Sequence, residues 1–205
     1  MKQLLPLLAL LPSLLFAQTV WNGTANTTWY TNDENATEFT ITTAEQLAGL
    51  AQLVNGGDSM SGKTIKLGND IALNDTTDWK NWGDGDSTRL NQWTAIGGFK
   101  GTFDGDGHTV RGVYIIINSY NRSGQGFFGR VEYYGTIKNL GVIASYIKGS
   151  NACDNIGGLV GILSGAITNS YATGNVSGGD YVGGLVGFNE CSGNCIRDSY
   201  ATGNV

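Results

Sequence analysis

The chain has 205 residues, which is long enough for one domain with a sizeable hydrophobic core. Its formal net charge of −5, without any cluster of Lys and Arg, argues against nucleic acid and anionic membranes as partners. It has 32 glycines that recur beside strand-like runs and only 2 prolines, which indicates a turn-dense all-β protein and excludes a disordered Gly-rich chain.

Residues 1–17 have the pattern of a secretory signal peptide. Lys2 supplies a positive charge, residues 4–16 are apolar, and Ala17 offers a small residue at the cleavage point. This apolar run is too short for a stable membrane span, and no later apolar run reaches about 18 residues. The mature chain is therefore expected to be secreted or held at the cell surface, without inserting into a membrane.

Residues 18–92 are interpreted as an N-terminal capping region. A helix is predicted over 44–55, because Thr43 and Gln46 have the spacing of a capping box and apolar residues follow on one face. We expect this helix to cover the open end of the first coil of a stack, where strand edges would otherwise meet water. The strand candidates of this region are 39–41, 64–67 and 70–73.

A polar stretch, residues 74–92, carries Trp79 and Trp82. Aromatic side chains can stack on sugar rings, so these two residues are the candidate ligand-binding pair, with Tyr133 and Tyr134 as the next choice. The alternative is that both tryptophans pack in the core or anchor the loop.

Residues 93–205 are predicted to form stacked coils, of which the last two are regular. The segment GGLVG starts at Gly157 and again at Gly183, and SYATGNV starts at Ser170 and again at Ser199. The two GLUG-like copies are therefore 156–181 and 182–205, and the second carries extra residues between Phe188 and Ile196. Two short apolar runs per copy at this period predict a right-handed parallel β-solenoid, or β-helix, of about four coils with one N-terminal capping α-helix.

The repeated residues have a structural explanation. Leu159 and Leu185 are expected to occupy equivalent inward positions in successive coils. Gly158 suits close backbone approach. Asn169 and Asn175 suit left-handed turns.

The sequence contains three cysteines, Cys153, Cys191 and Cys195. Export permits disulfides, and Cys191 and Cys195 both lie at the insertion in the second copy, so we predict a disulfide between them. Two free thiols remain the alternative, and Cys153 is left without a partner.

Metal-binding and catalytic residues are only weakly indicated by the sequence. Asp84 with Asp86, and Asp104 with Asp106, suggest calcium, but neither pair fits an EF-hand loop, and turn formation explains both. His108 is the only histidine and lies in no catalytic motif. We therefore expect no catalytic residue, no metal and no cofactor in this chain.

The segments IGGLVG…GAITNSYATGNVSG and VGGLVG…SYATGNV resemble the GLUG repeat of bacterial secreted and surface proteins. The stretch that begins ITTAEQLAGLAQLVNGG resembles the region that often precedes such repeats, so the resemblance covers about 39–205. It implies an adhesin-like, non-catalytic module that binds a glycan or a host or matrix surface, with further repeats after Val205. The alternative is the non-catalytic N-terminal part of a larger secreted enzyme, such as a peptidase or a carbohydrate-active enzyme, because the repeat also occurs in exported enzymes that include IgA-specific peptidases. No catalytic residue comes with the repeat.

Overall fold

The structure, a computed structural model, describes residues 19–121 and 123–205, so the candidate signal peptide lies outside the described residues. No helix in this described part is long and apolar enough to cross a membrane. The helices are α1 (Thr28–Thr31) and α2 (Ala44–Asn55), with 3-10 turns at Trp79–Asn81 and Asp84–Thr88. The strands are β1 (Glu38–Ile41), β2 (Thr64–Leu67), β3 (Ile71–Ala72), β4 (Thr102–Asp104), β5 (Thr109–Arg111), β6 (Tyr114–Ile117), β7 (Phe128–Val131), β8 (Thr136–Lys138), β9 (Gly141–Gly149), β10 (Ile156–Gly157), β11 (Val160–Leu163), β12 (Ala166–Thr168), β13 (Tyr171–Ser177), β14 (Val182–Gly183), β15 (Val186–Asn189), β16 (Ile196–Arg197) and β17 (Tyr200–Thr202).

Across residues 19–121 and 123–205, these strands pair in parallel sheets. One sheet has the order β1-β2-β4-β8-β12-β16, and a second has the order β17-β13-β9-β5-β3 with β6 also on β9. Two smaller sheets have the orders β15-β11-β7 and β10-β14. Two neighbouring parallel strands need a long connection between them, and here that connection is formed by the other strands and turns of one repeat copy. The prediction of an all-β protein with parallel pairing is confirmed.

The pairing register reproduces the sequence repeat. Ile156 pairs with Val182, and Tyr171 pairs with Tyr200, so each residue lies beside its counterpart in the next copy. The extra residues of the second copy fall between β15 and β16, outside the strands. Insertions in such a loop leave the sheet register intact, which explains why the two sequence periods differ.

Apolar side chains stack in columns between the sheets. One column runs along the first sheet, and burying each such side chain contributes about 1.5–3 kcal/mol. Leu159 is fully buried, and Leu185 packs against the core from the next copy, as predicted. The members of the first column are Phe39, Ile65, Phe103, Ile137, Ile167 and Ile196.

The stack extends further toward the N-terminus than the four coils that the sequence predicts. Both β1 and β2 lie in the same sheet as the strands of the GLUG-like copies. Helix α2 has the predicted capping box at Thr43 and Gln46, but it lies between β1 and β2 in the chain, not ahead of the first strand. The closure of the strands into coils, their hand and the capping role of α2 remain predictions.

Turns beside the first sheet are stabilised by stacked polar side chains. Asn139, Asn169 and Asp198 have positive φ at equivalent turns. The Asn169 side-chain amide donates to the side-chain oxygen of Asn139 at 2.8 Å, and the Asn139 side-chain amide donates to the Asp104 carboxylate at 2.9 Å. The prediction for Asn169 is confirmed. It is wrong for Asn175, which lies in strand β13, where Gly174 takes the positive φ instead.

Candidate functional site

The predicted tryptophan pair is not an exposed pair. Only 5% of Trp82 is exposed, and its ring packs edge-on against Tyr114 at a centroid distance of 5.9 Å. Its Nε1 donates to Asp78 at 3.0 Å, while Trp79 is half-buried against the same cluster. The two 3-10 turns fold the loop back onto β6 and β9, so Trp82 anchors the loop, which is the alternative that the sequence left open. Ligand binding at Trp79 and Trp82 stays a prediction.

The loop 74–92 is held down by polar contacts as well. The Tyr114 hydroxyl donates to the carbonyl oxygen of Gly83 at 2.7 Å, and Lys148 pairs with Asp84 at 2.8 Å. The hydrogen bond from Lys148 holds the pKa of Asp84 below its ordinary value. Burial raises the pKa of Tyr114 to about 12. These contacts hold the loop in place. They also account for the pKa shifts of Asp84 and Tyr114 without a bound ligand.

The candidate calcium carboxylates are engaged by other groups. Asp86 accepts from Arg89 at 2.7 Å, and Asp104 pairs with Lys138 at 3.0 Å. Burial raises the pKa of Asp104, but hydrogen bonds from Asn139 and the Asp106 backbone outweigh it, so the pKa is lowered. Within residues 19–121 and 123–205, no group of three or more His, Cys, Asp or Glu side chains is placed to hold a metal ion.

The only histidine, His108, lies at the turn between β4 and β5. Its backbone N–H donates to the carbonyl oxygen of Gly105 at 2.8 Å, and its Nδ1 lies 3.4 Å from a carboxylate oxygen of Asp70. This placement is that of a turn residue on the surface.

A different site emerges from the lengths of three successive turns. They connect β7, β11 and β15 to β8, β12 and β16, and therefore stack beside one another. The first turn spans 132–135, the second 164–165 and the third 190–195. Because the middle turn is the shortest, it forms the floor of a shallow cavity between two projecting turns. We call this cavity the turn notch.

The two walls of the turn notch differ in chemistry. On one side stand Tyr133 and Tyr134, which are 67% and 85% exposed and meet edge-on at a centroid distance of 4.7 Å. The other wall is the loop that carries Cys191 and Cys195. Main chain and small side chains of 164–166 line the floor.

Charged and polar groups border this floor. The Arg130 guanidinium lies 2.6 Å from Glu190 and 3.0 Å from Glu132. The Ser164 hydroxyl donates to Glu190 at 2.7 Å. These side chains come from three stacked segments, so they fix the turns relative to one another.

The structure joins Cys191 and Cys195 in a disulfide, as the sequence predicts. Their Cα atoms are 6.5 Å apart, within the range that a disulfide spans. Cys153 is buried and has no disulfide partner among the described residues, and its Sγ lies 2.8 Å from the carbonyl oxygen of Ser119.

We expect the unreduced protein to show this disulfide directly. Peptide mass spectrometry should find the segment 189–197 lighter by two hydrogens than its reduced form, because the thiol hydrogens are lost on oxidation. Quantitative alkylation of Cys191 and Cys195 without a reductant would contradict the pairing, and alkylation of Cys153 after unfolding serves as the internal control.

The sequence predicts the residues of both walls of the turn notch, but it does not predict that the two walls face each other. It singled out Tyr133 and Tyr134 as an aromatic pair and the Cys191–Cys195 segment as an insertion, without placing them together. The lengths of the turns between aligned strands would have revealed the notch, because the turn at 164–165 is shorter than the equivalent turns in the copies on either side.

Comparison with known proteins bears on the middle of this stack. Residues 152–177 match the model of the family described as the GLUG motif. The chain carries a GLUG motif. The predicted resemblance to GLUG-repeat surface proteins is thereby confirmed, and the motif contains β10 to β13 together with the floor residues Ser164 and Gly165.

One curated protein is similar to about half of this chain. Halomucin of Haloquadratum walsbyi (strain DSM 16790 / HBSQ001) is 34% identical over 115 residues. This match covers 51% of the present chain and 1% of halomucin, so the GLUG-motif chain corresponds to a very small part of that relative. No solved structure is significantly similar to the chain.

Proposed function

We propose that this chain is an exported, surface-associated β-solenoid module that acts by binding and not by catalysis. The observation that carries the proposal is the structural use of the GLUG motif. Its residues form β10, β11, β12 and β13, one strand in each of the four sheets, and the next copy repeats that order. The residues that recur in each copy therefore form the strands of the stack. The turns between the strands are the part of the structure that is available to bind a ligand.

The same order of strands supports a closed solenoid. Each copy visits the four sheets in turn and then pairs in parallel with the next copy, which is what a coil of a β-helix does. Right-handed coils follow the general preference of parallel crossover connections. Helix α2, with Leu47 and Leu50 fully buried, would then close the core near β1.

The non-catalytic part of the proposal is supported by how the reactive side chains are used. Asp84 and Asp104 pair with lysines, and His108 lies at a surface turn beside Asp70. A hydrolase would need a free acid or nucleophile in a cavity. In the turn notch, Glu190 is held by Arg130 and Ser164.

Surface localisation is supported by the GLUG motif and by the similarity to halomucin, a surface protein. That relative is archaeal, so the bacterial origin implied by the sequence resemblance stays a prediction. The small matched share of halomucin means that its own properties as a whole protein are not transferred here.

Two measurements test this function. In cells that express the full chain with a C-terminal tag, we expect antibody labelling or protease removal of the tag from intact cells, or tag in the medium. Purified full chain should bind cell envelopes or surface polysaccharide without releasing product. Retention of all tag in the cytoplasm would overturn the localisation, and turnover of a polysaccharide or peptide that is lost in His108→Ala or Glu190→Gln would overturn the non-catalytic role.

A further inference from the structure

We propose that the turn notch binds one neutral hexose ring of a polysaccharide, stacked against the Tyr133–Tyr134 wall. This inference rests on the proposed binding function and names the ligand class and the site for it.

The dimensions of the notch favour one ring. The walls come from the first and third of three adjacent coils, and neighbouring strands lie about 4.8 Å apart, so the walls are separated by about 10 Å of backbone. Flat partners stack on aromatic rings at centroid distances of about 4.5–7 Å. The floor stays low because Gly165 packs directly on the Gly135 carbonyl oxygen, where any Cβ would collide.

Tyr134 is an unusual residue for its place in the turn. Its φ is 73°, in the left-handed region where glycine or asparagine is favoured. Asn139 and Asn169 fill such positions in nearby turns. A tyrosine that is 85% exposed adds almost nothing to the core, so the conformational cost of placing it there is not offset by burial. Stacking on a ligand accounts for an exposed aromatic ring in this strained position.

The polar groups at the floor suit the hydroxyl groups of a sugar. The Ser164 hydroxyl already donates to Glu190 and accepts from Arg130, so it offers a sugar one remaining oxygen lone pair. The Glu190 carboxylate, which borders the notch, has more acceptor positions than Arg130 and Ser164 occupy. Arg130, Glu132 and Glu190 border the notch and together carry a formal net charge of −1, which favours a neutral sugar over a uronic or sialic acid. An aromatic wall beside a few fixed polar groups is the usual composition of a ligand site.

The Cys191–Cys195 disulfide gives the second wall a fixed shape. A loop restrained before binding loses less conformational freedom when the ligand enters, which favours affinity. The wall therefore contributes by pre-organisation as well as by contact.

Native gel electrophoresis through soluble neutral polysaccharides tests the site. The probes are a glucan, a mannan and a galactan, with polygalacturonate as the acidic comparison, and the protein is the purified full chain. We expect retardation by at least one neutral probe, and about a tenfold weaker affinity in Tyr133→Ala/Tyr134→Ala with an unchanged unfolding midpoint. Tyr120→Ala is the matched control, because Tyr120 is 68% exposed and lies outside the notch. Cys191→Ser/Cys195→Ser should weaken binding severalfold.

Each result that would contradict the proposal bears on a different part of it. Neutral-probe binding that is equal in the wild type and the double tyrosine variant would overturn the site but leave the binding function standing. Retardation by polygalacturonate alone would overturn the neutral ligand class. Absence of retardation by every probe would overturn the hexose site, and the envelope-binding assay would then decide the proposed function separately.

Discussion

Leu159→Ala should lower the free energy of unfolding by about 2–5 kcal/mol, the range for truncating a buried leucine. Leu159 is fully buried and is held between neighbouring strands on both sides. Its N–H donates to the carbonyl oxygen of Leu185 at 3.0 Å, and its own carbonyl oxygen accepts from Phe128 at 2.8 Å. The backbone cannot collapse into the cavity without breaking these bonds, so we expect little relaxation. Urea unfolding measures the change.

Leu185→Ala is the matched control for this substitution. Leu185 occupies the same position in the next copy, but it is only partly buried. Truncation there removes less apolar surface from the folded state, so the loss should be clearly smaller. Equal losses at the two positions, or a loss near zero for Leu159→Ala, would contradict the stacking of these residues in one inward column.

The regular end of the stack could be predicted because stacking imposes sequence identity. Gly158 and Leu159 lie beside Gly184 and Leu185 in the two regular copies, because the flanking residues Gly157 and Val160 pair with Gly183 and Val186, so the same residue types recur. Helix α2 could also be predicted, because the capping box at Thr43 depends only on contacts within a few residues of the chain.

The less regular end could not be predicted in this way. Strands β1 and β2 pair in the same sheet, but the spacing from β2 to β4 includes the loop 74–92 and the sequence similarity is lost. The burial of Trp82 depends on Tyr114, a residue far away in the sequence, and no periodicity reports that contact. The turn notch likewise depends on the alignment of three turns across the stack, which only the strand register defines.

Trp82→Ala should destabilise the protein by about 3–5 kcal/mol, as expected for truncating a buried tryptophan. It should also expose Tyr114, whose pKa burial raises from 10.0 to about 12. In the wild type, this raised pKa contributes stability that is complete below pH 10 and is lost as the pH rises through 12. In the variant, the pKa of Tyr114 should fall toward 10, so stability should decline less steeply over that interval. Tyrosinate absorbance and unfolding at several pH values measure both effects.

Trp82→Phe separates packing from hydrogen bonding. Phenylalanine keeps an aromatic ring against Tyr114 but removes the donor to Asp78, so the loss of stability should be smaller and the Tyr114 titration should stay near 12. Tyr30, whose pKa burial also raises to about 12, belongs to the main core and should titrate unchanged in both variants. If Trp82→Ala left the Tyr114 titration and the melting temperature unaltered, the loop would be anchored by the Asp84–Lys148 pair and not by the tryptophan.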